Sequence, residues 1–297
     1  GSKAIEFYAR PEIRRRWLPE LASGRVIGAF ALTESEAGSN AARIRTAVRR
    51  DGGHYVLNGK KTYITNAPVA GVFTVFATHD ASAGAKGVSA FAIDAATPGL
   101  RIGRTIEMAA GRGSAHAEVI LEDCRVPCEC LLGEECAGFG IAMRCLDAGR
   151  THWGGYCVGA ASQLLNYALD HASRRETFGR KLRDHQGIEW TIADMAASLH
   201  AARLVAYEAA WRYDQGDAAA RTAAAALSKY TGAEMVQRVA DTTLQLFGGS
   251  GYSKDLPIER IWRETRVVRI LDGTSEIMRQ IIARNAFRTH DRRNARH

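Results

Sequence analysis

The chain has 297 residues and a formal net charge of +8, from 40 Lys and Arg against 32 Asp and Glu. Its 46% hydrophobic and 24% charged content excludes a disordered or low-complexity chain. No apolar run approaches the ~20 residues needed to cross a bilayer, so a soluble protein of one or two domains with no membrane partner is expected.

The positive charge favours anionic partners such as phosphate-bearing cofactors, acyl carriers or nucleic acid. No base-stacking or groove-reading motif accompanies the basic residues, so nucleic acid is set aside.

The opening Gly-Ser has the look of a tag remnant. The stretch "PEIRRRWLPELASG" then predicts a short helix over 10–23 with little of its own to pack against. From about 25 to 133 the chain holds short runs rich in Val, Phe, Tyr and Thr, broken by Gly, Asp and Pro. "GHYVLNGKKTYIT", "GVFTVFATHD", "GVSAFAID" and "AHAEVILEDCRV" are such runs, and they predict a β domain.

Five of the six cysteines lie between Cys124 and Cys145, spaced C-x3-C-x-C-x5-C-x8-C. That spacing lacks the paired C-x2-C knuckles of a zinc site and has no histidine nearby, so no metal is expected. Free, partly buried thiols in a reducing compartment are the simpler reading. With no secretory signal visible, that compartment is expected to be the cytoplasm.

The character changes near residue 137. Three Ala-, Leu- and Arg-rich segments of roughly 30 residues follow, with apolar residues recurring at three- and four-residue steps. Glycines in "FGGSGY" stop the third, and "LPIERIWRETRVVRIL" is expected to start a fourth after Pro257. Short loops between long helices predict an antiparallel bundle over 134–297. The basic tail "RTHDRRNARH" has no apolar residue after Phe287 and is expected to fray.

Six motifs, in order, give the chain a resemblance. "IGAFALTESEAGSNAARIRT", "LNGKKTYITNA", "LDAGR", "RRETFGRKLRDHQ", "LQLFGGSGY" and "ILDGTSEI" together resemble the acyl-CoA dehydrogenase family of flavoproteins. The likeness runs from about residue 10 to 288. It implies an α+β fold: an antiparallel β-barrel domain over 25–133, then a C-terminal four-helix bundle over 134–297. Residues 1–24 would be a remnant of the family's N-terminal helical domain, which helps to wall the acyl pocket.

The implied cofactor is FAD, and the implied assembly is a homodimer or homotetramer with flavin at a subunit interface. The implied substrate is an acyl-CoA or acyl-carrier-protein thioester. An electron-transfer flavoprotein or similar acceptor would take the electrons.

The resemblance also assigns residues. Phe30, Leu32, Thr33, Gly38 and Ser39 in "FALTESEAGS" would run along the flavin, with Ser39 also near the acyl carrier. An ordinary Ser/Gly loop is the alternative. Tyr63 stands where the family usually stacks a Trp on the flavin, and Thr65 keeps a donor beneath the ring. An aromatic in a strand is otherwise usually core.

Arg175, Thr177, Phe178, His185 and Gln186 match the stretch that reaches the flavin of a neighbouring subunit. Gln245, Gly248 and Gly249 match the segment beside the adenosine half, although by themselves they read as a glycine helix stop. Thr274 and Glu276 match flavin contacts. Asp147 and Arg150 match positions that meet the thioester, and their spacing of three also suits a plain charge pair on a helix.

Asp272 occupies the position of the family's catalytic base, usually a Glu. Its shorter arm retracts the carboxylate by about 1 Å, and a misplacement of that size can cost ~10²-fold in rate. An Asp ahead of Thr-Ser also makes an ordinary helix cap. The other place where the family carries its base is Gly149, which has no side chain.

The expected reaction is removal of the α proton of an acyl thioester with hydride transfer from the β carbon to flavin, giving a 2,3-enoyl thioester. Aspartate at the base position also occurs in related nitroalkane oxidases, which leaves a flavin oxidase open. A shortened, non-catalytic subunit that completes a flavin site in a hetero-oligomer is a further alternative.

Overall fold

A computed structural model describes residues 1–295; Arg296 and His297, the end of the basic tail, lie outside the described residues. The chain divides into two compact units, Gly1–Cys145 and Leu146–His297.

The first unit opens with helices α1 (Ser2–Tyr8) and α2 (Pro11–Ala22). Pro11 suits the first turn of α2, where its missing N–H has no helical partner to lose. The expectation that this helix has little to pack on is corrected: Ile13 and Trp17, one turn apart, are both buried. The Arg16 guanidinium lies 4.4 Å from the Trp17 ring centroid. Gly133 N–H also donates to the Tyr8 carbonyl at 2.9 Å, tying α1 to the far end of the unit.

The sheet comprises β1 (Ile27–Ala31), β2 (Ala47–Asp51), β3 (His54–Thr65), β4 (Ala70–Thr78), β5 (Val88–Asp94), β6 (Leu100–Ile106), β7 (His116–Pro127) and β8 (Leu131–Leu132). Its order is β6-β7-β3-β2-β4-β5-β8, with β1 also pairing β4. The expected barrel is thus present as an eight-stranded sheet left open between β6 and β8.

Pairing is mainly antiparallel, but β1 and β2 both meet β4 in parallel. Between β1 and β4 the chain makes the β2–β3 hairpin before it returns, and such a crossover permits parallel pairing. Strands β4 and β5 are almost continuous apolar runs because both of their faces are covered. Phe73, Phe76, Phe91 and Ile93 fill the centre.

The second unit contains most of α3 (Gly138–Arg174), then the two-residue strands β9 (Glu176–Thr177) and β10 (Arg180–Lys181). Helices α4 (Gln186–Asp214) and α5 (Ala218–Phe247) follow. The short α6 (Gly249–Tyr252) and α7 (Ile258–Arg266) precede α8 (Ser275–Asn294).

Asp217 caps α5 by accepting from Ala219 and Ala220 N–H at 2.9 and 3.2 Å. Gly248, at φ +60°, ends it. Leu164, Met195, Leu199, Val236 and Val239 form the core, with alanines at close helix crossings.

Two expectations about this unit are corrected. The segment after Pro257 gives only a nine-residue helix, and the fourth long helix is α8. The basic tail stays helical to Asn294, because its polar residues continue a helix already anchored by the buried Met278. No helix among the described residues is long and apolar enough to cross a membrane.

Candidate active site

Asp272 and Gly273 adopt consecutive left-handed conformations, φ +50° and +94°. Asp is one of the few non-glycine residues that tolerate this region, because its short polar side chain makes local contacts. The next residue, Thr274, is the N-cap of α8: its hydroxyl accepts the Ile277 N–H at 3.4 Å. Capping therefore falls to Thr274, and the Asp272 carboxylate faces elsewhere.

Three partners distant in sequence hold this turn. Arg150 Nε donates to the Asp272 carbonyl at 3.0 Å. Lys229 Nζ donates to the Gly273 carbonyl. Trp153 Nε1 donates to Asp272 Oδ2 at 2.8 Å.

Arg150 is in turn oriented by Asp147, whose Oδ1 lies 3.1 Å from Nη1, and both residues are buried. The other Asp147 oxygen accepts from the Thr222 hydroxyl. Burial holds Arg150 below the usual guanidinium pKa, partly offset by Asp147. The charge pair expected from the spacing is present, and it has a second task in fixing the turn.

Lys229 is fully buried, and desolvation pulls its pKa down to about 8 although the Asp272 charge acts in the opposite direction. Gly149 borders a tight space: a methyl group placed there would stand 3.0 Å from Asp272 Oδ2, and the carboxylate would have to give way. The vacancy expected at Gly149 is thus the space that the Asp272 carboxylate borders.

Burial pushes Glu234 upward, but Arg269 and Ser275 outweigh it and hold its carboxyl below the usual range. Arg269 grips it at 2.9 and 2.6 Å and Ser275 at 2.8 Å, which secures both sides of the turn. Glu276 is exposed and pairs with Arg279 at 3.2 Å.

Trp153, Lys229, Thr222 and Glu234 were missed by sequence reasoning. Trp153 follows Arg150 by three residues and so shares its helix face, which was a readable signal. Lys229 stands among alanines and small residues in "AAAALSKYTGAE", where a lone cation on a buried face asks for a partner.

Elsewhere in this unit, Thr177 and His185 meet across the β9–β10 turn, with Oγ1 to Nε2 at 3.3 Å. Phe178 projects from the turn tip at φ +51° and is 98% exposed. Arg175 is exposed, and its carbonyl accepts Leu182 N–H at 2.8 Å. Gln186 opens α4, while Gln245, Gly248 and Gly249 are exposed at the end of α5.

In the first unit, Leu32 is buried and its carbonyl accepts from Lys61 Nζ at 3.1 Å. Thr62 N–H donates to the Thr33 carbonyl at 2.9 Å, so the loop after β1 lies on β3. Beneath the loop, Lys61 pairs with Glu34 at 2.8 Å, fully buried. Glu34 also accepts from Arg45 N–H, Thr46 N–H and the Thr46 hydroxyl at 2.6, 3.0 and 2.6 Å.

Phe30 packs on Phe76, centroids 4.9 Å apart. Gly38, Ser39 and Thr65 are exposed. Tyr63 sits in β3 at φ +56° and is 56% exposed, rather than in the core.

Of the six non-glycine residues at positive φ among the described residues, Tyr63, Phe178 and Asp272 are sequence-predicted site residues. Such strain persists only where the surroundings impose it, and it gathers at working sites. A flavin needs an aromatic platform, hydroxyl and amide donors, and close backbone approach. Tyr63, Thr33, Ser39 and the open Gly38 are of that chemistry, so these residues fit the group.

Comparison with known proteins agrees. The family model for the acyl-CoA dehydrogenase middle domain matches residues 29–124, and that for the C-terminal domain matches 137–287. An acryloyl-CoA reductase (NADH) of Anaerotignum propionicum is 40% identical over 96% of this chain and 73% of its own length. A short-chain specific acyl-CoA dehydrogenase of Clostridium acetobutylicum is 38% identical over 96% and 74%.

The structure of butyryl-CoA dehydrogenase from Megasphaera elsdenii superposes with a TM-score of 0.91 at 34% identity, covering 96% of this chain and 74% of that one. The chain thus spans about three-quarters of the length of these relatives. With both family models matched in order and this identity sustained over nearly every residue, the chain belongs to the acyl-CoA dehydrogenase family.

Proposed function

We infer that this protein is an FAD-dependent acyl-thioester dehydrogenase in which Asp272 is the base. The bound flavin supplies the hydride acceptor. The protein's part is to hold the thioester so that the α proton meets a carboxylate, and to keep water from competing. The observation that carries the reading is the Asp272 turn: a carboxylate held by Trp153 on a strained backbone anchored at two carbonyls, with capping delegated to Thr274.

The α C–H bond breaks toward Asp272, and its electron pair stays on the α carbon. That pair becomes the α,β double bond as the β hydrogen departs with its own pair. Asp147 and Arg150 lie one helical turn apart beside the base, and Arg150 donates to the Asp272 carbonyl, so the pair would stand next to a bound thioester. Thr33, Ser39 and Tyr63 in the first unit would hold the isoalloxazine. Arg175, Thr177, Phe178, His185, Gln186, Gln245, Gly248 and Gly249 would reach flavin across a subunit interface.

The carrier is coenzyme A or an acyl carrier protein, whose phosphates suit a chain of net charge +8. An electron-transfer flavoprotein or similar acceptor then collects the electrons. Six free cysteines suit the reducing cytoplasm.

Anaerobic bleaching of the flavin with a panel of acyl-CoAs tests the reading. The wild type is expected to bleach with at least one of them. Asp272→Asn is expected to retain flavin and to lose at least ~10²-fold in bleaching rate. Equal rates in the two proteins would remove Asp272 as the base.

A further inference from the structure

The two oxygens of the Asp272 carboxylate differ. Oδ2 accepts the indole N–H of Trp153 at 2.8 Å and faces the open side of Gly149. Oδ1 has no hydrogen-bond donor among the described residues. The backbone on which the side chain stands is fixed by Arg150 at its own carbonyl and by Lys229 at the next. With the main chain pinned, the remaining freedom is rotation of a two-torsion side chain, and the indole removes it.

The indole is itself braced. Trp153 sits one turn beyond Arg150 on α3 and packs edge-on against Tyr156, ring centroids 5.3 Å apart at 82°. Its N–H can only donate, so it pairs best with a carboxylate oxygen that bears charge and less well with one that has taken a proton, which is a weaker acceptor.

We propose that Trp153 is a positioning residue that ties Oδ2 of Asp272 and leaves Oδ1 as the atom that takes the α proton. The inference rests on Asp272 being the base. In the step, the α C–H bond breaks, an O–H bond forms at Oδ1, and the C–H electron pair stays on the α carbon for the double bond. The hydride acceptor is the flavin of the proposed reaction. An aspartate has a short reach, so its aim has to be set by a neighbour, and Trp153 sets it. Misplacement of a reacting group by about 1 Å can cost ~10²-fold.

Trp153→Phe keeps the ring and deletes the donor. In the FAD-loaded protein mixed anaerobically with butyryl-CoA, it is expected to keep its yellow colour, melting temperature and half-saturating substrate concentration. Its limiting bleaching rate is expected to fall about 10- to 100-fold. Trp262→Phe deletes an indole donor that meets Asp241 instead, at 3.2 Å, and it should stay within about twofold of wild type on that scale. A Trp153→Phe rate within about twofold of wild type, or an equal loss in Trp262→Phe, overturns the proposal.

A second measurement does not depend on that variant folding. The ultraviolet resonance-Raman signal of indole N–H hydrogen bonding, taken as wild type minus Asp272→Asn, should show one tryptophan losing a strong acceptor. Identical spectra overturn the proposal. If Asp272→Asn bleaches like wild type, the base assignment itself fails. If Asp272→Asn is inert and Trp153→Phe is unimpaired, only the role of Trp153 fails.

Discussion

At the scale of single residues, the site is a set of small spaces and single donors. Gly149→Ala would put a methyl 3.0 Å from Asp272 Oδ2, tighter than ordinary van der Waals contact. The helix should accept alanine without loss of stability. The carboxylate would have to turn away, so the bleaching rate is expected to drop ~10-fold or more at unchanged melting temperature. An alanine variant with the wild-type rate would show that the space is incidental.

Lys229 offers a pH test of its burial. Its pKa is about 8 in the fold against the ordinary 10.5, so its charged form costs stability below about 8. That cost fades as pH rises between these values, because the unfolded chain then binds the extra proton. Lys229→Met lacks the group, so wild type should gain in melting temperature relative to the variant between about pH 8 and 10. The variant also loses the donor to Gly273, and its bleaching at neutral pH should fall ~10-fold as the turn loosens. Parallel melting curves would place the ammonium in water.

At the scale of elements, the loop after β1 stands on the Lys61–Glu34 pair. Burial raises the Glu34 pKa, but Lys61 and the Thr46 and Arg45 donors outweigh it, so its carboxyl lies below the ordinary 4.5. A depressed carboxylate contributes stability above the unfolded value and loses it as pH falls through the folded one. Wild type should therefore lose melting temperature below about pH 4.5 more steeply than Lys61→Met/Glu34→Gln. Lys61→Met alone leaves a buried carboxylate unpaired and is expected to cost ~3–5 kcal/mol at neutral pH. Thermal melts from pH 7 to 3 decide both points.

The strand and helix patterns of these elements were legible in the sequence. Runs rich in Val, Phe, Tyr and Thr, broken by Gly, Asp and Pro, marked β3, β4, β5 and β7, and three-four spacing marked α3, α4 and α5. The fourth bundle helix was assigned to the wrong segment, because α8 carries few apolar residues, while the segment after Pro257 looks strongly amphipathic. Both α7 and α8 pack on α5, so the difference is one of length: α7 stops at Arg266, while α8 runs from Ser275 to Asn294.

At the scale of the whole molecule, α4 presents Leu204, Tyr207 and Trp211 to solvent at steps of three and four residues, with Trp190 one turn from its start exposed as well. One stripe of large apolar side chains on a helix is a surface that a second copy of the chain would cover in the proposed assembly. Sedimentation is expected to show a dimer or tetramer, and Tyr207→Asp with Trp211→Asp should shift it toward monomer while helicity is kept. A wild type that sediments as a monomer would remove the subunit-interface reading of Arg175 and its neighbours.

The sequence by itself determined the family and the change from strands to helices near residue 137, and it singled out Asp272 as the proposed base. These follow from order and spacing along the chain, which a sequence carries directly. Only the tertiary structure decided that Thr274 rather than Asp272 caps α8, that Lys229 is buried beneath the turn, and that Trp153 grips one oxygen of the carboxylate. Trp153 and Asp272 lie 119 positions apart, and their meeting is set by how α3 packs near the start of α8. Such a meeting has no period in the sequence to announce it, because it depends on the backbone's left-handed turn and on a methyl group that Gly149 does not have.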